Sequence, residues 1–186
     1  EKQDSTKSAL LLDLAKSYYA ENQDTALLLS NQSLKISQRK DLKILQATAY
    51  NLIGVCYLIK SDFEKSLESH LQALKIREKL SDSTGIMESY LNIGNIYYRL
   101  KDLRQAAEKY QVSLKFAKAL KHDRALGLLY NNLGSYYRDV WFTSKRNEDF
   151  DTAMNFLEKS LSYKMKFGDE GGETQTLIQL SDLYEE

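Results

Sequence analysis

The stretch Asn51-Leu52-Ile53-Gly54-Val55-Cys56-Tyr57 returns as Leu91-Asn92-Ile93-Gly94-Asn95-Ile96-Tyr97, and again as Asn131-Asn132-Leu133-Gly134-Ser135-Tyr136-Tyr137. Gly54, Gly94 and Gly134 stand 40 residues apart, as do Tyr50, Tyr90 and Tyr130, and Tyr57, Tyr97 and Tyr137. A fixed period in this range marks stacked supersecondary units, each unable to bury its apolar face alone. The architecture that follows favours binding over catalysis.

Outward from these stretches, apolar residues recur at three- and four-residue spacing nearly throughout, with no sustained alternation of period two. Each unit therefore reads as two helices. In the second unit a helix over about 46–60 is followed by a turn at Lys60-Ser61-Asp62 and a helix over about 63–80. Asp82-Ser83-Thr84-Gly85 then breaks the pattern and offers capping oxygens to the next helix. The units span about 6–42, 46–81, 85–122 and 124–168, and a terminal helix covers 172–185. Ala15 and Tyr18 lie 39 residues before Gly54 and Tyr57, so the first turn, Asn22-Gln23-Asp24, is one residue shorter. Ser181 and Tyr184 lie 47 residues after Gly134 and Tyr137, which places seven extra residues at about 140–147.

An interior helical glycine costs about 1 kcal/mol relative to alanine, so three in register need a compensating role. Close approach of the two helices of a hairpin supplies one. The small residues Ala26, Ser66, Ala106 and Ala153 on the second helices are expected to meet the gap, with the tyrosines filling the spaces between hairpins.

Composition narrows the function classes. Twenty-six basic and 26 acidic residues cancel, so no global field favours nucleic acid or an anionic membrane. No apolar run approaches the roughly 20 residues that span a bilayer. The chain begins without Met and shows no signal peptide, which fits a processed protein or an excised segment. Cys56 is the one cysteine, so no intramolecular disulfide and no Cys-rich zinc site is expected. No proline and only eight glycines suit an almost wholly helical chain.

Small residues eight and twenty positions into each unit, with aromatics at four and eleven, resemble tetratricopeptide repeats. The 40-residue spacing and the Asn-Leu-Gly signature are similar to the repeats of kinesin light chains and to those preceding the signalling modules of bacterial sensor kinases and nucleotide cyclases. Asn22-Gln23-Asp24-Thr25-Ala26-Leu27 resembles the first-repeat turn of that bacterial group. Ala15 and Ser181 depart from the pattern at glycine positions, and the helix-ending proline is missing. The resemblance implies an all-α, right-handed α-solenoid of helix-turn-helix units in one domain. It also implies a non-enzymatic module binding a protein or peptide in a groove lined by the first helices, without cofactor or metal. Its place would be the sensory or scaffolding segment of a bacterial signalling protein, either periplasmic and membrane-anchored or cytoplasmic, with homodimerisation as the alternative role.

Mapped residue by residue, the groove would be lined by Asn51, Asn92, Asn95, Tyr98, Arg99, Asn131, Asn132 and Arg138. An amide offers two donors and an acceptor, so a ladder of Asn residues can pair with a ligand backbone whatever its sequence. Arg99 and Arg138 suit a bidentate carboxylate. The competing reading is that these side chains satisfy their own neighbours or face solvent. Val140-Trp141-Phe142 in the insertion has no counterpart elsewhere. Either Trp141 and Phe142 form a docking tip, or the seven residues lengthen both helices of the fourth hairpin and the two rings pack between them. His70 reads as a packed histidine, and His122 as a cation complementing a helix end. Two distant histidines and one cysteine make neither a catalytic dyad nor a zinc site. Cys56 reads as a small packed hydrophobe, and the pairs Asp169-Glu170 and Glu185-Glu186 as solvated charge.

Overall fold

In a computed structural model, described over residues 2–184, the chain is an all-α repeat solenoid. Among the described residues the helices are α1 (Lys2–Tyr18), α2 (Gln23–Arg39), α3 (Lys43–Ile59), α4 (Phe63–Lys79), α5 (Ser83–Arg99), α6 (Leu103–Ala119), α7 (Asp123–Ser144), α8 (Asn147–Phe167) and α9 (Glu170–Tyr184). The last residue of the expected 172–185 helix and the Glu185-Glu186 pair lie outside the described residues. The chain divides into two compact units, Glu1–Leu100 and Lys101–Glu186.

Three-residue linkers set the rhythm. Helix α3 ends at Lys60 in the right-handed region, and Ser61 takes a φ of 60°. The Asp62 N–H then bonds back to the Tyr57 carbonyl at 2.9 Å, satisfying a terminal helix acceptor. Asp62 in turn caps α4, accepting the Lys65 N–H. Left-handed residues recur at Asp41, Ser61, Ser81, Lys101 and Lys121, a 20-residue rhythm in which no position is glycine. A non-glycine residue here costs of order 1 kcal/mol. Ser61→Gly is therefore expected to raise stability by about 0.5–1 kcal/mol, read as a higher urea midpoint at unchanged m-value.

In the first unit, Leu12, Ala15, Leu34, Ala49, Leu52 and Ile53 form a core cluster against which Leu27, Leu29, Leu45, Tyr50 and Tyr57 pack. The glycine register works differently from expectation. A Cβ on Gly54 would meet the His70 ring at 2.6 Å, and one on Gly134 would meet Leu157 Cδ2 at 2.6 Å. The space is thus filled one helical turn beyond Ser66 and Ala153, by His70 and Leu157. Ser66 instead donates to the Gly54 carbonyl at 2.8 Å. At the corresponding places of the first hairpin, Ala15 and Ser30 are both fully buried. There the larger residue on the first helix is matched by a smaller one on the second.

In the second unit, Trp141, Ala153, Leu157, Leu180 and Leu183 form the core cluster, supported by Tyr137, Phe150, Met154 and Leu161. The insertion lengthens both α7 and α8. Trp141 stacks edge-on against Phe150 at 5.3 Å and is only 8% exposed. The docking-tip reading of Trp141 is therefore corrected: its ring is core. Phe142 remains at the surface, 36% exposed.

A buried cation joins α4 to α5, and another joins α8 to α9. Arg77 donates to the Gly85 carbonyl (2.9 Å), Ser89 Oγ (2.8 Å) and Glu88 Oε2 (3.1 Å). Lys164 Nζ donates to the Gly172 carbonyl (3.0 Å), Thr176 Oγ1 (2.8 Å) and Asn131 Oδ1 (2.9 Å). In both, an aspartate caps the following helix, Asp82 on the Gly85 N–H and Asp169 on the Gly172 N–H. The spacing Arg77-Asp82-Gly85-Ser89 is repeated as Lys164-Asp169-Gly172-Thr176. Burial pulls both cations' pKa values down, with Glu88 and Asp82 opposing this at Arg77 and Asp169 at Lys164. Lys164→Met keeps the stem but removes the donor that Gly172, Thr176 and Asn131 share. It is expected to cost about 2 kcal/mol and to raise hydrogen exchange in α9 selectively.

Candidate functional site

The first helices α3 and α5 carry the candidate residues of the first unit. Asn92 donates from Nδ2 to Asn51 Oδ1 at 3.1 Å, so the two amides form a rung between these helices. Both are half-buried, as are Asn95 and Tyr98, each of which is engaged in an interaction of its own. The rung uses the Asn51 carbonyl and one Asn92 N–H. The Asn51 N–H pair and the Asn92 carbonyl keep access to solvent without a partner among the described residues. Arg99 is exposed, in the last turn of α5, and makes no ion pair among the described residues.

The second unit differs. Asn131 is 6% exposed, and its Oδ1 accepts from Lys164 Nζ, from Thr176 Oγ1 at 3.1 Å and, distantly, from Gln179 Nε2 at 3.5 Å. Gln179 Oε1 accepts from Ser135 Oγ at 2.6 Å. Asn131 is thus corrected from a groove contact to the centre of a buried network holding α7, α8 and α9 together. Arg138 pairs with Asp182 of α9 (3.2 Å) and with its neighbour Asp139 (3.3 Å), and its guanidinium lies 5.9 Å from the Phe142 ring centre. Its place as a free carboxylate receptor is corrected too. Asn132 is half-buried and engaged. The residues missed from the sequence, Lys164, Thr176 and Gln179, are those that occupy Asn131; their signal was the repeated cation-Asp-Gly-hydroxyl spacing.

The remaining titratable candidates are structural. His122 caps the start of α7, its Nδ1 receiving the Ala125 N–H at 3.3 Å. That corrects its reading as a cation complementing a helix end, since the N-terminal end of the dipole does not favour positive charge. Cys56 is fully buried, and burial pushes its thiol up to about 11. Native Cys56 is expected to react with a thiol-specific disulfide reagent at least about a hundredfold more slowly than in denaturant; comparable rates would show that the hairpin opens readily. No helix among the described residues is long and apolar enough to cross a membrane.

Residues 45–119 match the family model of the tetratricopeptide repeat. The comparison with curated proteins gives no match. Among solved structures, the chain is similar to a signal transduction ATPase with numerous domains carrying a tetratricopeptide repeat sensor, from Pyrococcus horikoshii. The identity is 21% and the TM-score 0.80, over 97% of this chain and 27% of that one. BtubC (BKLC) from P. vanneervenii is 23% identical with a TM-score of 0.75, over 96% and 70% of the two chains. The apo form of RapI is 20% identical with a TM-score of 0.72, over 97% and 69%. The chain thus spans only about a quarter of the Pyrococcus protein. Residues 45–119 thus carry the tetratricopeptide-repeat sequence, and the chain as a whole shares the fold of the solved tetratricopeptide-repeat sensor.

Proposed function

We propose that the chain is a non-enzymatic protein-interaction scaffold that holds an extended peptide or partner segment on the α3 and α5 surface. The observation that carries this is the Asn51–Asn92 rung, which leaves a donor pair and an acceptor open to solvent on adjacent first helices. Such a set matches the alternating N–H and C=O groups of a peptide backbone. Arg99, one helical turn and more beyond Asn95 on α5, adds a carboxylate contact and hence selectivity. Similarity to the repeat sensor of a signal transduction ATPase supports a place in a larger signalling protein.

The test is selection from a random peptide library followed by affinity measurement on variants. Asn51→Ala/Asn92→Ala is expected to weaken selected peptides by about tenfold or more, and Arg99→Gln to weaken only those bearing an acidic residue. Peptides bound equally by the native chain and by all variants would sink the reading. A second reading, self-association, is favoured by the exposed Leu177 (52%) and Ile178 (58%) on α9. It predicts a concentration-dependent mass that Ile178→Asp abolishes in sedimentation.

A further inference from the structure

A cavity of about 410 Å³ lies within the second unit, between the first turn of α7 and the last turn of α8. Its walls are the side chains of Leu128 and Phe167, 43% and 50% exposed, and Tyr163, whose ring is held against Tyr130 at 5.8 Å between centres. Gly127 lets the two helices close beneath it, since a Cβ there would lie 3.2 Å from the Tyr163 Cβ. The volume is within the range of small-ligand pockets, and the lining mixes these apolar side chains with polar ones in similar measure.

Four charged residues line this cavity, Asp123, Arg124, Lys164 and Asp169. Asp123 is paired with Lys166, and Asp169 caps α9 beside Lys164. Lys164 directs its ammonium at the Asn131 network, where all three acceptors are neutral. Arg124 is exposed at the rim and has no hydrogen bond or ion pair among the described residues. Lys166, which lies outside the lining, already pairs with Asp123, and Lys164 stands against Asp169, so Arg124 is the lining charge left for a ligand at the mouth of the pocket. A guanidinium in this position offers a planar fork that a carboxylate matches bidentately.

We propose that this cavity is a binding site for a small aryl-alkyl carboxylate, its ring between Leu128, Tyr163 and Phe167 and its carboxylate on Arg124. The site is separate from the α3 and α5 surface and does not rest on the scaffold reading. It gives the chain a place for a small molecule as well as for a partner.

The experiment is a titration of the whole chain with 3-phenylpropionate, followed by the backbone amide resonances. Gly127 and Gly168, which line the cavity, serve as local reporters. Saturable shifts confined to these and neighbouring amides are expected, and Arg124→Gln is expected to weaken binding by about tenfold or more. The uncharged 3-phenylpropionamide is expected to bind at least about tenfold more weakly than the acid. Shifts that do not saturate, equal binding of acid and amide, or unchanged affinity in Arg124→Gln would each overturn the proposal. Since Arg124 is exposed and unpaired, its variant should retain the native fold, and a Phe167→Ala variant provides an independent check: its affinity should also fall, and unchanged binding would overturn the assignment of the ring site.

Discussion

Leu157→Ala is expected to lower the unfolding free energy by about 3 kcal/mol, and Gly134→Ala in the same background to recover part of that loss. Leu157 is fully buried, and its Cδ2 and Cγ lie where a Gly134 Cβ would be, at 2.6 and 2.7 Å. Truncating it removes the transfer free energy of three carbons and leaves a cavity over the glycine; buried Leu→Ala changes cost about 2–5 kcal/mol. Gly134→Ala alone adds a methyl where none fits. Overpacking of this kind costs about 1–3 kcal/mol, against a gain of up to about 1 kcal/mol in helix propensity. In the double variant the methyl enters the space that Leu157 vacates, so the clash disappears and the propensity gain remains. The first hairpin carries a pairing of this kind in the native sequence, Ala15 with Ser30. Urea unfolding of the four proteins gives the coupling directly. A coupling energy near zero would show that the glycine answers to the backbone approach of the helices rather than to the side chain opposite.

This pairing also shows what was legible in the sequence and what was not. Helix content, hairpin order and the closeness of the paired helices all followed from the 40-residue return of Gly54, Gly94 and Gly134. The identity of the group above each glycine did not, because Ser66 and His70 are one turn apart and share a helix face, as do Ala153 and Leu157. Periodicity names the face and not the tier. The Asn positions split for a similar reason. Asn51 and Asn92 meet across adjacent first helices, whereas Asn131 is claimed by Lys164 and Thr176, residues 33 and 45 further along the chain. The Arg77 and Lys164 joints are a repeat of their own, but the seven-residue insertion shifts their separation to 87 and hides them from a 40-residue register. The left-handed linker residues had no sequence mark at all, since Asp41, Ser61, Ser81, Lys101 and Lys121 share no chemistry that favours positive φ. Their conformation is imposed by the packing of the helices on either side.

Acidification from about pH 7.5 to about pH 4.5 is expected to cost the folded chain about 2.5 kcal/mol through His70 alone. The ring is fully buried, and neither Nδ1 nor Nε2 finds a partner among the described residues. Burial, with the nearby Arg77 charge adding to it, pulls the His70 pKa down to about 4. In the unfolded chain it returns to its ordinary value of about 6.5. Above that value both states are neutral and His70 leaves stability independent of pH. As pH falls below it, the unfolded chain takes up a proton that the folded chain refuses, so stability is lost at up to about 1.4 kcal/mol per unit until the folded ring itself titrates near 4. The carboxylates with lowered values, Asp4, Asp62 and Asp149, also lose stability in acid, but theirs is lost below the ordinary carboxylate range near 4. The window between about pH 6.5 and 4.5 therefore belongs largely to the histidine. His70→Leu places there the residue that the fourth hairpin uses at the matching position, Leu157. The variant is expected to flatten the pH dependence across this window while keeping the helical signal. Urea midpoints measured at several pH values decide the matter: parallel curves for the native chain and His70→Leu would mean that the ring is not the group being protonated. Curves that converge above neutrality and separate in acid would establish the second hairpin as the acid-labile element of the first unit.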